Sequence, residues 1–268
     1  MANHKIKVGI IGAAGYTGGE LIRILLHHPN VSIEFCYSRS QYGKLISDIH
    51  TDLFGETDLV FTNEIQPTLD VLFLCLPHGE TKPFLEKNNF SPTIKIIDLS
   101  NDFRLKKDAE NFIYGLPELN KIEIKQAKHI ANPGCFATAI QLALSPLAKN
   151  QLLQNDIHIS AITGSTGAGI SLTETSHFTW RNNNASAYKT FTHQHLGEIG
   201  ESITQLQPTY NHSINFIPYR GNFSRGIIAT IYTDFPGSLD DVKSIFQNYY
   251  KDEKFVFISN KNIDVKQV

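Results

Sequence analysis

Short β-branched runs alternate with stretches whose apolar residues recur at helical spacing, and this alternation fills the first half of the chain. Ile6-Lys7-Val8-Gly9-Ile10-Ile11 has the composition of a strand buried on both faces. After a glycine turn, Leu21, Ile22, Ile24, Leu25 and Leu26 give residues 20–28 one apolar helix face, which Pro29-Asn30 ends. Residues 31–36 form the next strand. Strand, helix, strand is a βαβ unit, and it predicts a doubly wound parallel sheet. Residues 71–76, 94–99 and 128–131 read as further strands.

The pattern shifts at Cys135. An apolar helix over 135–148 is followed by strands at 157–163, 214–218 and 226–233, then an amphipathic helix at 239–250. These predict a second, more antiparallel α+β domain, with domains at 1–134 and 135–268.

Composition narrows the function classes. The chain has 268 residues, 41% hydrophobic and 19% charged, with a net charge of -2 and no charge run. Neither a nucleic-acid nor a membrane partner has electrostatic support. The three cysteines are far apart, odd in number and free of CxxC spacing, which argues against a disulfide framework or structural zinc. A reducing compartment follows, and the absence of a signal-peptide pattern at Met1-Ala2-Asn3-His4-Lys5 points to the cytoplasm.

The first strand runs into Gly12-Ala13-Ala14-Gly15-Tyr16-Thr17-Gly18, a GxxGxxG spacing. Glycines at a strand-to-helix turn let the backbone approach a pyrophosphate, which sits on the helix N-terminus. Gly12, Gly15 and Gly18 are therefore candidate dinucleotide contacts, a ligand-free tight turn being the alternative. The second strand ends in Tyr37-Ser38-Arg39-Ser40. No carboxylate is there for a ribose 2′-hydroxyl, and Arg39 between two hydroxyls suits a 2′-phosphate. Ser38, Arg39 and Ser40 thus point to NADP(H), against the alternative of a solvated arginine.

Carboxyl ends of parallel strands line the ligand crevice of such sheets. That rule places Pro77, in Leu76-Pro77-His78-Gly79, beside the cofactor. It also brings Ser100 and Arg104, in Asp98-Leu99-Ser100-Asn101-Asp102-Phe103-Arg104, to the same edge. Arg104 is a candidate clamp for an anionic substrate, with an ion pair to Asp98 or Asp102 as the alternative. Thr163-Gly164-Ser165-Thr166-Gly167-Ala168-Gly169 offers backbone N–H groups as an anion nest, centred on Gly167. Arg220 and Arg225 flank a turn and suit carboxylate or phosphate groups.

In Ala131-Asn132-Pro133-Gly134-Cys135-Phe136 a strand end and a Pro-Gly turn lead into a helix that starts at the cysteine. The positive end of a helix lowers a thiol pKa and makes a nucleophile. The alternative is a small buried apolar residue. His193-Gln194-His195 is followed three residues later by Glu198. With no third ligand nearby, the pair predicts no metal. A histidine meeting Cys135 in space makes a nucleophile–base arrangement.

Together these segments, with Tyr114-Gly115-Leu116-Pro117-Glu118-Leu119 and Glu198-Ile199, resemble the N-acetyl-γ-glutamyl-phosphate reductases of arginine biosynthesis. That family is related to aspartate-semialdehyde dehydrogenase. The resemblance implies an α/β fold: a Rossmann-type doubly wound parallel sheet plus a second α+β catalytic and dimerisation domain with a mixed sheet. It implies NADP(H), also contacted by Tyr16 and Thr17, and an acyl-phosphate substrate contacted by Ser100, Arg104, Asn132 and Arg220. It implies a Cys135 thioester, an acid/base histidine from His193 and His195 with His195 preferred, and a cytoplasmic homo-oligomer, dimer or tetramer. Gly197, Ile170 and Tyr219 stand where the family more often has proline, a basic residue and histidine. The family's pattern also continues past Val268 with a segment that returns to the first domain. Three alternatives remain at this point: an aspartate-semialdehyde dehydrogenase-like reductase, a Cys-His acyl hydrolase or transferase, and a non-catalytic NADP-binding protein.

Overall fold

The computed structural model describes residues 5–267. The chain forms two compact units. One runs to Gly115 and takes in Ile122–Asn132; the other comprises Leu116–Lys121 and the chain from Pro133 onward.

In the first unit, β1 (Ile6–Ile11), α1 (Tyr16–Leu26) and β2 (Val31–Tyr37) make the opening βαβ unit. A short helix, α2 (Ile46–Ile49), and the strands β3 (Phe61–Thr62) and β4 (Val71–Leu74) follow. Next come α3 (Thr81–Lys87), β5 (Lys95–Asp98), β6 (Phe112–Tyr114), α4 (Pro117–Gln126, shared between the units) and β7 (His129–Ala131). The strands form one parallel sheet in the order β3-β2-β1-β4-β5-β7-β6. Its two faces carry separate cores. Ile10 packs with Val8, Ala13 and Ile22 on one face; its neighbour Ile11 packs with Leu72, Leu74 and Phe103 on the other. Period-two alternation requires this of a strand covered on both sides. Ile10 and Ile11 are both fully buried, a stabilisation of about 1.5–3 kcal/mol each.

Helix α1 begins at Tyr16, four residues earlier than its apolar pattern suggests. Gly18 and Gly19 are weak helix formers, but both are buried in the helix, and a Cβ at Gly18 would fall 2.7 Å from the Ala13 Cα. Close packing overrides propensity here.

The second unit contains α5 (Cys135–Lys149), β8 (Ile157–Thr163), α6 (Phe178–Arg181) and β9 (Ser186–Ala187). It continues with α7 (His195–Leu206), β10 (Ile214–Arg220), β11 (Ile227–Tyr232) and α8 (Leu239–Tyr250). Its sheet is mixed, in the order β11-β8-β10-β9, with β8 and β10 parallel and the other pairings antiparallel. Helices α5 and α7 contribute Phe136, Ile140, Leu144, Ile199 and Ile203 to one core with Ile159 and Phe216 of the sheet. Strand β10 runs beyond its predicted end because Pro218 lacks only a donor; its carbonyl still accepts the Tyr188 N–H at 3.1 Å. Pro146 inside α5 likewise cannot donate to the Leu142 carbonyl one turn back. The Tyr250 hydroxyl of α8 donates to that carbonyl instead.

Candidate active site

Within the first unit the glycine loop forms an open cradle. Gly12 has φ of +77°, and a Cβ there would overlap the Cys75 carbonyl, so glycine is required. Gly15 is the N-cap of α1 and supplies no side-chain cap. A Cβ at Gly15 would meet nothing closer than the Gly12 carbonyl oxygen at 3.6 Å. The first turn of α1 holds exposed Tyr16 and Thr17, buried Gly18 and no acidic residue. Its N–H groups therefore form an uncluttered positive helix end of the kind that binds phosphate. A dinucleotide pyrophosphate fits this cradle.

At the end of β2, Ser38 is buried, its N–H donating to the Thr62 carbonyl at 2.9 Å, while Arg39 and Ser40 are exposed. Arg39 is thus available for a phosphate. Pro77 is exposed on a loop held by Asp102, which accepts from the N–H groups of Gly79 (2.6 Å), Thr81 (3.0 Å) and Lys82 (3.2 Å).

Two expected substrate contacts also hold the main chain. Ser100 is fully buried; its hydroxyl donates to Asp98 at 2.7 Å and accepts the Asp102 N–H at 3.1 Å. It serves the turn at the end of β5. Arg104 is buried; its Nε donates to the Asn132 carbonyl at 2.8 Å and an Nη to the Leu99 carbonyl at 3.0 Å. It fixes the main chain at Asn132, whose own residue is exposed at the end of β7. Asp98 also accepts from Thr81 Oγ1 at 2.9 Å, and burial raises its pKa against those hydrogen bonds.

In the second unit, Cys135 is the first residue of α5 and is exposed, although Pro133, Gly134 and Phe136 around it are buried. Helix α5 has 15 residues, no acidic residue in its first turn and no side-chain cap from Gly134. A thiolate there faces the positive helix end. Cys36 and Cys75, by contrast, are pushed up to about 12 by burial and are inert.

The imidazole of His195 lies against Gly134. A Cβ on Gly134 would sit 2.6 Å from His195 Cε1 and 2.7 Å from Cδ2. The glycine before the nucleophile thus lets the ring approach. Glu198, one turn along α7, is buried; Oε2 accepts the Gly134 N–H at 2.8 Å and Oε1 lies 3.9 Å from His195 Nε2. The longer distance is electrostatic contact, suited to steadying an imidazolium. Gln141 of α5 holds the same residue from its main chain, donating to the Glu198 carbonyl at 2.9 Å and to Ser202 Oγ at 2.8 Å.

His193 is differently placed. Its Nδ1 accepts the His195 N–H at 3.2 Å, so the neutral ring carries its proton on Nε2. The ring is buried among Phe136, Phe216 and Tyr188. Burial, with His195 and Lys189 nearby, lowers its pKa to about 4. His193 is a neutral brace for α7.

Arg220 stacks on Tyr188, its guanidinium carbon 4.7 Å from the ring centroid. Burial raises the Tyr188 pKa; Arg220 opposes the rise and the charge of Cys135 adds to it. Arg220, Tyr188 and Cys135 therefore share one neighbourhood. Gly167 is exposed in a 3₁₀ turn, Ser165–Ala168, where its N–H donates to the Gly164 carbonyl at 3.4 Å. The motif at His193-Gln194-His195 included Glu198 but gave it no role, and Tyr188 belonged to no motif. Glu198 had a signal, since i and i+3 share a helix face; Tyr188 had none.

Replacing Gly134 by alanine is expected to displace the His195 ring and lower kcat about 100-fold, the usual result of misplacing a reacting group by about 1 Å. Steady-state rates beside an NADPH fluorescence titration check this; a variant within threefold of the native rate would refute it.

Two families match the chain: the semialdehyde dehydrogenase NAD-binding domain over residues 7–127 and the semialdehyde dehydrogenase dimerisation domain over residues 135–268. The N-acetyl-γ-glutamyl-phosphate reductases of Christiangramia forsetii and Flavobacterium johnsoniae are each 59% identical to it, covering 98% of this chain and 82% of their own length. Aspartate semialdehyde dehydrogenase II of Vibrio cholerae, complexed with ASA, superposes with a TM-score of 0.70 at 15% identity, over 94% of this chain and 80% of that one. The Candida albicans aspartate semialdehyde dehydrogenase with NADP gives 0.65 at 18% identity, over 90% and 75%. Among the described residues, no helix is long and apolar enough to cross a membrane.

Proposed function

The chain belongs to the semialdehyde dehydrogenase family, among the N-acetyl-γ-glutamyl-phosphate reductases, and from that membership we propose how its own residues carry the reaction. The protein reduces N-acetyl-γ-glutamyl phosphate with NADPH, giving N-acetylglutamate semialdehyde and phosphate in arginine biosynthesis. The observation that carries the reading is 59% identity over almost the whole chain, joined to a thiol at a helix start with an imidazole packed on the preceding residue.

The first unit holds NADP(H), its pyrophosphate at Gly12, Gly15, Tyr16, Thr17 and Gly18 and its 2′-phosphate at Ser38, Arg39 and Ser40, with Pro77 as a further contact. The second unit carries the covalent chemistry. His195 takes the Cys135 proton as the sulfur attacks the acyl carbon. The carbon–oxygen bond to phosphate breaks, phosphate leaves and a thioester remains on Cys135. Main-chain N–H groups in the first turn of α5 face the oxygen that becomes negative. When bound, NADPH supplies the hydride that reduces the thioester carbonyl. Collapse of the adduct breaks the carbon–sulfur bond and releases the semialdehyde, and His195 returns its proton to the sulfur. Glu198 steadies the imidazolium between the two transfers. In the second unit Arg220 meets an anionic end of the substrate; in the first, Arg104 fixes the main chain at Asn132. The protein is a cytoplasmic homo-oligomer, a reading supported by its match to a dimerisation domain and by its likeness to biosynthetic reductases.

Phosphate-dependent reduction of NADP+ tests the substrate. N-acetylglutamate semialdehyde is expected to exceed aspartate semialdehyde by about 100-fold in kcat/KM, since polar groups shaped for the longer substrate are left unpaired by the shorter one. Equal rates would overturn the substrate assignment, and no reduction with either would overturn the enzyme assignment.

A further inference from the structure

His50 follows α2 and belongs to none of the motifs that assign the reaction. It is buried, with 6% of its surface exposed, and its ring faces Phe61 of β3 with centroids 6.2 Å apart. Its Nε2 lies 2.9 Å from the carbonyl oxygen of Ala13, inside the glycine loop. A carbonyl only accepts, so Nε2 carries the proton and donates. The ring also occupies the space beside Gly19: a Cβ there would fall 2.5 Å from His50 Cε1 and 2.7 Å from Nδ1. Gly19 is therefore a glycine because His50 is there.

The loop is held at three other points. The N–H groups of Gly12 and Ala13 both donate to the Tyr37 carbonyl at 3.1 Å, and the Gly15 N–H donates to the Gly12 carbonyl at 3.2 Å. The peptide between Ala13 and Ala14 is left to His50. In a trans peptide the C=O and the following N–H point in opposite directions. Drawing the Ala13 carbonyl toward the buried His50 ring turns the Ala14 N–H the other way. That N–H precedes Gly15 and the open first turn of α1.

We infer that His50 is a positioning residue for the cofactor: its Nε2–H orients the Ala13–Ala14 peptide so that the Ala14 N–H is presented to the pyrophosphate of NADPH. The inference rests on the assignment of the glycine loop as the pyrophosphate site. His50 touches neither cofactor nor substrate; it acts through one peptide plane. A role confined to satisfying a buried carbonyl would leave NADPH affinity unmoved.

Two substitutions separate these roles. His50→Phe keeps a ring and removes the donor; His50→Gln keeps a donor at nearly the same reach. The Kd for NADPH, read by cofactor fluorescence, is expected to rise about tenfold in His50→Phe, the worth of one hydrogen bond. It should return to within about twofold of native in His50→Gln. In both, kcat at saturating NADPH and KM for the acyl phosphate should hold. Equal weakening in the two variants, or none in His50→Phe, overturns the inference. The native protein gives a readout that no folding defect touches: NADPH should slow hydrogen exchange at the Ala14 amide, and unchanged exchange there also overturns it. Gly15→Leu tests the underlying assignment, because its side chain enters open space above the loop. If that variant binds NADPH normally, the glycine loop is not the pyrophosphate site. If it loses NADPH while His50→Phe does not, the site stands and the role of His50 fails.

Discussion

Cys135→Ser is expected to lose more than about 10³-fold in phosphate-dependent NADP+ reduction while still binding NADPH. The physical reason is double. A serine hydroxyl at the start of α5 is not ionised near neutral pH, so the helix end that favours a thiolate finds no anion to stabilise. An oxygen ester is also a poorer hydride acceptor than a thioester. The substitution keeps shape and volume at an exposed position, so folding should be unaffected. Cofactor fluorescence and thermal unfolding should therefore match the native protein. Near-native turnover in Cys135→Ser would remove the thioester from the mechanism.

Replacing His195 by asparagine is expected to cost about 10²–10⁴-fold in kcat, the range for losing a positioned acid/base group. Asparagine keeps a polar group at the start of α7 and leaves Glu198 its bond from the Gly134 N–H. The informative measurement is the pH–rate profile. A native profile governed by His195 should lose its imidazole limb in the variant, whereas an unchanged profile at reduced rate would make His195 a structural residue. His193 is a poor rival, because its Nδ1 accepts a backbone N–H and burial holds its pKa near 4.

What could be read before the structure followed from local physics. The strand at Ile6–Ile11, the helix beginning at Cys135 and the strand at Ile157–Thr163 each depend on a short run and its own punctuation. Helix α7 was not legible. Leu196, Ile199, Ile203 and Leu206 mark its apolar face, but Gly197 and Gly200 lower its propensity, and packing on α5 decides the matter. Arg104 shows a different limit. Its charge was visible, and so were Asp98 and Asp102. The sequence does not display that Ser100, Thr81 and three backbone N–H groups bond those carboxylates, nor that Arg104 reaches the main-chain carbonyls of Asn132 and Leu99. The contact between Gly134 and His195 joins distant segments, and only the absence of a Cβ hints at it.

The unequal burial of the three cysteines gives the protein a built-in means of counting its active sites. Cys36 and Cys75 are held almost wholly as thiols by burial, whereas Cys135 is exposed at a helix end. A thiol-specific chromogenic reagent at neutral pH should therefore release one fast equivalent per folded chain, from Cys135, the proposed nucleophile. The size of that burst measures the competent fraction of a preparation before any substrate is added.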